Sequence, residues 1–186
     1  DEAPAGAAAE HAEPPCAEHL QSMTLWLELD KLYGHGYELL SVACNPRTRL
    51  TASTCKATTP AHAVVRLFDG AAHWRPLEPP LEGHTLSITR VVISPDAAYL
   101  LTASRDRSWR LYQREADGTY GPLAGERAQA RIVWDCAWSM RADERVFATA
   151  SRDKTVKLWR LTTAGGRPYE APATLRPAGA ASRGGL

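Results

Sequence analysis

Between Leu81 and Tyr112 the apolar positions fall into three short runs, Ile88–Ile93, Tyr99–Ala103 and Trp109–Tyr112. Polar turn signals separate them, Ser94-Pro95-Asp96 and then Ser104-Arg105-Asp106-Arg107. Short β-branched and aromatic runs punctuated in this way predict an antiparallel meander. A continuous helix is excluded, because Pro95 would remove a backbone donor midway and clash with the turn before it. The stretch reads as one four-stranded unit of a repeating sheet architecture.

The unit recurs on both sides. Upstream, Leu32-Tyr33-Gly34-His35 matches Leu81-Glu82-Gly83-His84. Apolar Leu39–Cys44, a turn at Asn45-Pro46-Arg47 and a closing strand over Val64–Phe68 follow it. Downstream, Ser104-Arg105-Asp106 before Leu111-Tyr112 returns as Ser151-Arg152-Asp153 before Leu158-Trp159. His35 and His84 stand 49 residues apart, and Asp106 and Asp153 stand 47 apart. A period of this length, opened by Gly-His and closed by an aromatic residue, resembles the blades of WD-type β-propellers. The expected fold is all-β: a WD40-type β-propeller, about three blades of a longer ring, over about 31–68, 81–112 and 128–159. Leu25-Trp26-Leu27-Glu28-Leu29 predicts the last strand of a preceding blade, near 24–33. Irregular inserts are expected around Thr58–His62 and Asp117–Arg127.

In such blades the Gly-His histidine, a Ser or Thr on the second strand, the turn Asp and the closing aromatic form a network. Buried polar groups require partners, and a linked set satisfies several together while fixing strand register. The central copy offers His84, Thr102, Asp106 and Tyr112. The third offers Thr149, Asp153 and Trp159, with Gln129 where the histidine would stand. The first offers His35 and Phe68, but Ser53-Thr54-Cys55-Lys56 takes the place of the Asp-containing turn. The network is therefore expected to be complete only in the central blade.

Composition narrows the function classes. The 186 residues are 44% hydrophobic, enough for one domain with a core, and 22 Lys+Arg face 21 Asp+Glu. A net charge of +1 gives no global attraction to nucleic acid or an anionic membrane. The apolar runs are far shorter than the ~18 residues that suggest a membrane span. The opening on Asp1 rather than Met, with no signal-type segment, predicts that the natural N-terminus lies further upstream. Four cysteines, Cys16, Cys44, Cys55 and Cys136, show neither Cys-x-x-Cys pairing nor finger spacing to histidine. They read as structural, reduced thiols in an intracellular protein, with Cys44 and Cys136 on matching apolar strands. Residues 1–19 are rich in Ala, Glu and Pro and predict a flexible linker. The blades then occupy 20–163, and 164–186 form a low-complexity tail.

Candidate chemistry was weighed against this repeat. His84, Thr102 and Asp106 have the residue types of a base, a nucleophile and an orienting carboxylate. A blade needs the same types structurally, and they recur in step with the repeat, so no catalytic role is assigned. No Gly-rich phosphate loop is present, and Gly34-His35-Gly36 reads as a turn. No cofactor and no metal site is expected. Arg105 and Arg107, echoed by Arg152 and Lys154, predict a basic rim that would face RNA or an acidic partner.

Several local runs carry a finer resemblance. Lys31-Leu32-Tyr33-Gly34-His35-Gly36-Tyr37-Glu38, Ala52-Ser53-Thr54-Cys55-Lys56-Ala57, Ser104 to Trp109 and Arg131 to Trp138 are similar to the Elongator complex protein 2 family. The resemblance covers roughly Leu20 to Trp159 and implies a segment of the second of that family's two propellers. It implies a non-catalytic scaffold subunit of an assembly that modifies the wobble uridine of transfer RNAs. The implied partners are the largest scaffold subunit and the catalytic radical-SAM and acetyltransferase subunit, with indirect contact to tRNA and none to membrane. The implied location is the cytoplasm and also the nucleus. The alternatives are an RNA-binding propeller using the basic rim and a WD-repeat adaptor of another complex.

Overall fold

The computed structural model describes residues 30–141, 145–162, 168–170 and 173–175. The chain divides into two units, Asp1–Tyr33 and Gly34–Leu186. Of the first, residues 30–33 are described, as irregular backbone. The expected linker over 1–19 and the expected strand Leu25–Leu29 lie outside the described residues.

The second unit contains three antiparallel sheets in chain order. The first comprises β1 (Leu39–Asn45), β2 (Leu50–Cys55), β3 (Val65–Asp69) and β4 (Arg75–Leu81). The second comprises β5 (Ile88–Ile93), β6 (Tyr99–Ser104), β7 (Trp109–Arg114) and β8 (Tyr120–Glu126). The third comprises β9 (Val133–Trp138), β10 (Val146–Ser151), β11 (Val156–Leu161) and two short outer pieces, β12 (Tyr169–Glu170) and β13 (Thr174–Leu175). Each sheet is a meander, with consecutive strands paired, and β11 takes β12 and β13 at its two ends. The expected propeller-type blades are the observed sheets.

The outer strands are where the sequence pattern misled. Leu81 ends β4 of the first sheet, although it was expected to open the second blade. Asp117–Arg127 was expected as an irregular insert, yet it contains β8. The reason lies in composition: β4 carries Pro76, Pro79 and Pro80, and β8 carries Gly121, Pro122 and Gly125. Proline and glycine weaken a strand signal, but an outermost strand needs ladder bonds on one side only and tolerates them. The insert at Thr58–His62 holds a 3-10 turn over Pro60–His62.

Alternation along the strands turns each blade into a two-faced wedge. In the second sheet, Leu100 and Tyr112 face the first sheet, packing with Leu50, Val65, Leu67 and Leu81. Leu101, Ala103, Trp109 and Leu111 face the other way, onto Val133, Cys136, Phe147 and Trp159 of the third sheet. Every residue of β6 is buried, as is every residue of β2 in the first sheet. In β10 only Phe147 and Thr149 are buried.

The inner strands repeat one irregularity. A register shift falls between Leu39 and Ser41 in β1, between Ile88 and Arg90 in β5, and opposite Ala150–Ser151 in β9. The extra residues are Leu40, Thr89 and Trp134. The Thr89 hydroxyl donates across the second seam to the Val133 carbonyl at 2.6 Å. Thr54 spans the first seam in the same manner, donating to the Ile88 carbonyl at 3.2 Å. Leu39 and Val42 are 60% and 61% exposed, whereas their equivalents Ile88, Val91, Val133 and Cys136 are buried. Trp134 is 51% exposed.

Cys136 is buried, and burial pushes its thiol well above the usual value. Cys44 departs from expectation: it is exposed. By register it is the equivalent of Trp138 rather than of Cys136, since Cys44 pairs with Thr51 as Trp138 pairs with Phe147.

Trp109 joins three other rings at the second seam, with centroids 4.9–5.0 Å from Phe147, Trp159 and Tyr169. Trp109→Ala is expected to cost about 3–5 kcal/mol, the range for truncating a buried large aromatic. Equilibrium urea unfolding will show it as a lower midpoint with an unchanged slope.

Candidate functional site

The turns between second and third strands, together with the Gly-His segments, lie at one end of the sheets and gather the residues that the sequence singled out. In the central blade His84 is buried, with Nε2 2.8 Å from Thr102 Oγ1 and Nδ1 2.9 Å from Asp106 Oδ2. The Asp106 carboxylate also accepts from the Thr85 amide at 3.0 Å and the Ser108 amide at 2.9 Å. A carboxylate can only accept, so Nδ1 carries a proton and donates to it. Burial alone would raise the Asp106 pKa. The His84 hydrogen bond and charge, the Ser108 hydroxyl and the Thr85 amide outweigh it and hold the carboxyl well below the usual range.

The closing aromatic is joined differently in the two blades. Tyr112 donates its single hydroxyl proton to the Glu82 carbonyl at 2.8 Å, tying the closing strand to the Gly-His segment rather than donating to Thr102. Burial raises the Tyr112 hydroxyl to about 12. In the third blade the Trp159 indole donates to Thr149 Oγ1 at 3.0 Å, and Gln129 Nε2 donates to the same oxygen at 3.0 Å. Thr155 Oγ1 then lies 3.1 Å from Gln129 Oε1, and Asp153 accepts from the Thr155 and Ala130 amides, each at 3.0 Å. Completeness confined to the central blade is thus corrected. The third blade is bridged from Trp159 to Asp153 because the Gln129 amide has both a donor and an acceptor end. In the first blade His35 Nε2 meets Ser53 Oγ at 2.8 Å, while Nδ1 is buried without a partner. Burial and then the Arg66 charge lower the His35 pKa. Phe68 is buried and has no polar group to contribute.

The geometry denies His84 and Thr102 a reaction site. Both are buried, and the Thr102 hydroxyl is enclosed between His84 Nε2 at 2.8 Å and the Arg110 carbonyl at 3.3 Å. A cleft of about 250 Å³ beside them is edged by Asp106 and Ser108 but by neither His84 nor Thr102. No substrate atom in that cleft would meet both a base and a nucleophile. Among the described residues no group of three or more His, Cys, Asp or Glu side chains is arranged to hold a metal.

The rim residues Arg105, Arg107, Arg152 and Lys154 are all exposed on the turns. Arg107 and Lys154 occupy equivalent left-handed positions, with φ of 74° and 67°. The Arg105 amide donates to the Ser87 carbonyl at 3.0 Å, as that of Arg152 does to Ile132 at 2.9 Å. The Lys56 amide donates to the Glu38 carbonyl at 2.8 Å, so Lys56 is the equivalent rim residue of the first blade. No Asp follows in that turn, so the turn pattern does not mark Lys56 in the sequence. Aligning Ser53-Thr54-Cys55-Lys56 with Thr102-Ala103-Ser104-Arg105 would have found it. Arg110 and Lys157 are on the third strands instead. Arg110 lies against Gly83, where a Cβ would come within 2.7 Å of its Nε and φ is +131°. Lys157 donates to the Ala128 carbonyl at the corresponding place.

The WD domain, G-beta repeat family matches residues 76–113 and 123–160. Elongator complex protein 2 from Mus musculus is 41% identical over 175 residues, covering 89% of this chain and 20% of the relative. The Saccharomyces cerevisiae protein of the same name is 41% identical over 149 residues, covering 79% of this chain and 19% of the relative. The chain is a WD-repeat homologue of Elongator complex protein 2. It spans about a fifth of the length of these relatives. Among solved structures, Saccharomyces cerevisiae Sqt1 superposes with a TM-score of 0.63 at 15% identity, covering 75% of this chain and 36% of that one. That likeness concerns the fold alone. The two matched WD repeats span the second and third blades, with the first boundary falling inside β4.

The WD network yields two expected outcomes. His84→Ala leaves Thr102 and Asp106 short of a partner and will lower unfolding free energy by about 1–3 kcal/mol. The second concerns pH. Asp106 has a lowered native pKa, so its contribution is present above the ordinary carboxylate pKa of ~3.9 and is lost as pH falls through the native value. The stability gap between the native chain and Asp106→Asn will be constant above about pH 5 and will close below about pH 4. Urea titrations of both proteins across that range measure it.

Proposed function

We propose that this chain is part of a non-catalytic WD-repeat scaffold that joins subunits of an Elongator-type assembly. Such an assembly supports modification of the wobble uridine of transfer RNAs. The observation that carries the reading is the enclosure of the His84–Asp106–Thr102 network within a chain 41% identical to Elongator complex protein 2 over most of its length. A buried polar network that fixes turn geometry leaves the loops free to present side chains from a rigid frame. The partners in this reading are the largest scaffold subunit and the catalytic radical-SAM and acetyltransferase subunit. The segment belongs to the second propeller of the parent protein, which works in the cytoplasm and also in the nucleus.

A second reading is favoured by one observation. Lys56, Arg105 and Arg152 occupy equivalent exposed turn positions in successive blades, a row of cations of the type that contacts a phosphate backbone. In that reading the rim itself binds RNA, with affinity falling steeply as salt rises.

Affinity capture of the intact parent protein, with and without RNase, separates the two readings. The scaffold reading expects the tRNA-modifying subunits to be recovered irrespective of RNase, and also from the Arg105→Glu, Arg152→Glu double variant. Recovery of RNA alone, abolished by the charge reversal, would overturn it in favour of the rim.

A further inference from the structure

The two seams between adjacent blades are built from equivalent positions, yet they are filled differently. Strand registers equate Val65 with Trp109, Leu100 with Phe147, Tyr112 with Trp159 and Tyr120 with Tyr169. At the second seam the four aromatic residues form one cluster of ring contacts. At the first seam a valine and a leucine stand in place of an indole and a phenyl ring. A groove of about 620 Å³ lies there between the outer strands β4 and β8. Its wall is apolar, from Leu67, Leu77, Pro80, Leu81, Tyr112 and Tyr120.

Three carboxylates, Glu78, Glu82 and Asp117, also line it, and no lysine or arginine does. Arg66 pairs with Glu78 at 3.4 Å. Among the described residues neither Glu82 nor Asp117 is in an ion pair. The Tyr112 hydroxyl is held by the Glu82 carbonyl and that of Tyr120 by the Ala97 carbonyl at 2.7 Å, so both rings present fixed surfaces. Pro76, Pro79 and Pro80 on β4 lack amide protons, which disfavours strand addition along that edge. Recognition here therefore works through side chains in a pocket of ligand-binding size.

We infer that this groove docks an extended segment of a partner protein in which an arginine or lysine adjoins a leucine-sized apolar side chain. The apolar group packs on Leu67, Leu77, Tyr112 and Tyr120, and the cation meets Glu82 and Asp117. Arginine suits the site best, since its planar fork bonds carboxylates while its stem lies on apolar surface. The inference rests on the scaffold reading and refines it by naming one docking surface.

The test titrates the full chain with a short labelled peptide of alternating Arg and Leu, followed by fluorescence anisotropy. Glu82→Gln combined with Asp117→Asn keeps both side-chain shapes, and Asp117→Asn retains the acceptor for Thr119. This double variant is expected to weaken binding about tenfold, on the scale of close charge pairs across an interface. Glu38→Gln, an exposed carboxylate elsewhere, serves as control and is expected to leave affinity unchanged. Leu77→Trp, which fills the groove from its own wall, is expected to abolish binding with the melting transition retained. No binding by the native chain, an unchanged Kd for the double variant, or an equal loss in Glu38→Gln would each overturn the proposal. Should Leu77→Trp fail to fold, the double variant decides. These outcomes leave subunit recovery by the parent protein unaffected, so the two readings fail separately.

Discussion

The packing of β6 and β7 between two neighbouring sheets is the contact on which the other features depend. A single four-stranded sheet has two faces and cannot bury either alone. Placing it between two others covers Leu100 and Tyr112 on one side and Leu101, Trp109 and Leu111 on the other. Apolar burial stabilises by about 25 cal/mol per Å², so a covered face outweighs any single hydrogen bond in the blade. The exposure of Leu39, Val42 and Trp134 follows from the same dependence. The equivalents of Leu39 and Val42 are covered by an adjacent sheet, and Thr89, an equivalent of Trp134, donates to one.

The polar networks have a different task. They add modest net stability, but they determine where the turns stand relative to the strands. The three blades solve that problem with different chemistry. An imidazole joins Thr102 to Asp106, an amide joins Thr149 to Thr155 and Asp153, and His35 reaches Ser53 alone. In the second and third blades a side-chain bridge links the second strand to the turn, whereas in the first it stops at Ser53. A bridge built from unlike residues argues for structural bracing, since proton-transfer chemistry would not tolerate replacement of imidazole by carboxamide.

Bracing and seam packing together explain how a non-catalytic fold presents specific surfaces. The rim residues Lys56, Arg105 and Arg152 share one backbone hydrogen bond each, made at the same place in every blade. Their side chains are thus placed by the repeat. The groove at the first seam lies instead between outer strands whose side chains differ from blade to blade. Regularity of backbone and variation of side chain are the two sources of surface on this chain.

The sequence by itself determined the repeat, the inner three strands of each blade and the polar residue types at the turns. Those features are local: alternation, turn residues and spacing are all written within about fifty residues. It did not reveal β4 and β8, because proline and glycine are tolerated where one ladder edge is free. Nor did it show that Cys44 is exposed while Cys136 is buried, since that depends on which strand faces are covered: Val42, the register equivalent of Cys136, is exposed as well. The partnering of Gln129, the diversion of Tyr112 to Glu82 and the unequal seams were decided only by tertiary structure. Each depends on which side chains from separate strands meet in space, and on the volumes and donors they bring to that meeting.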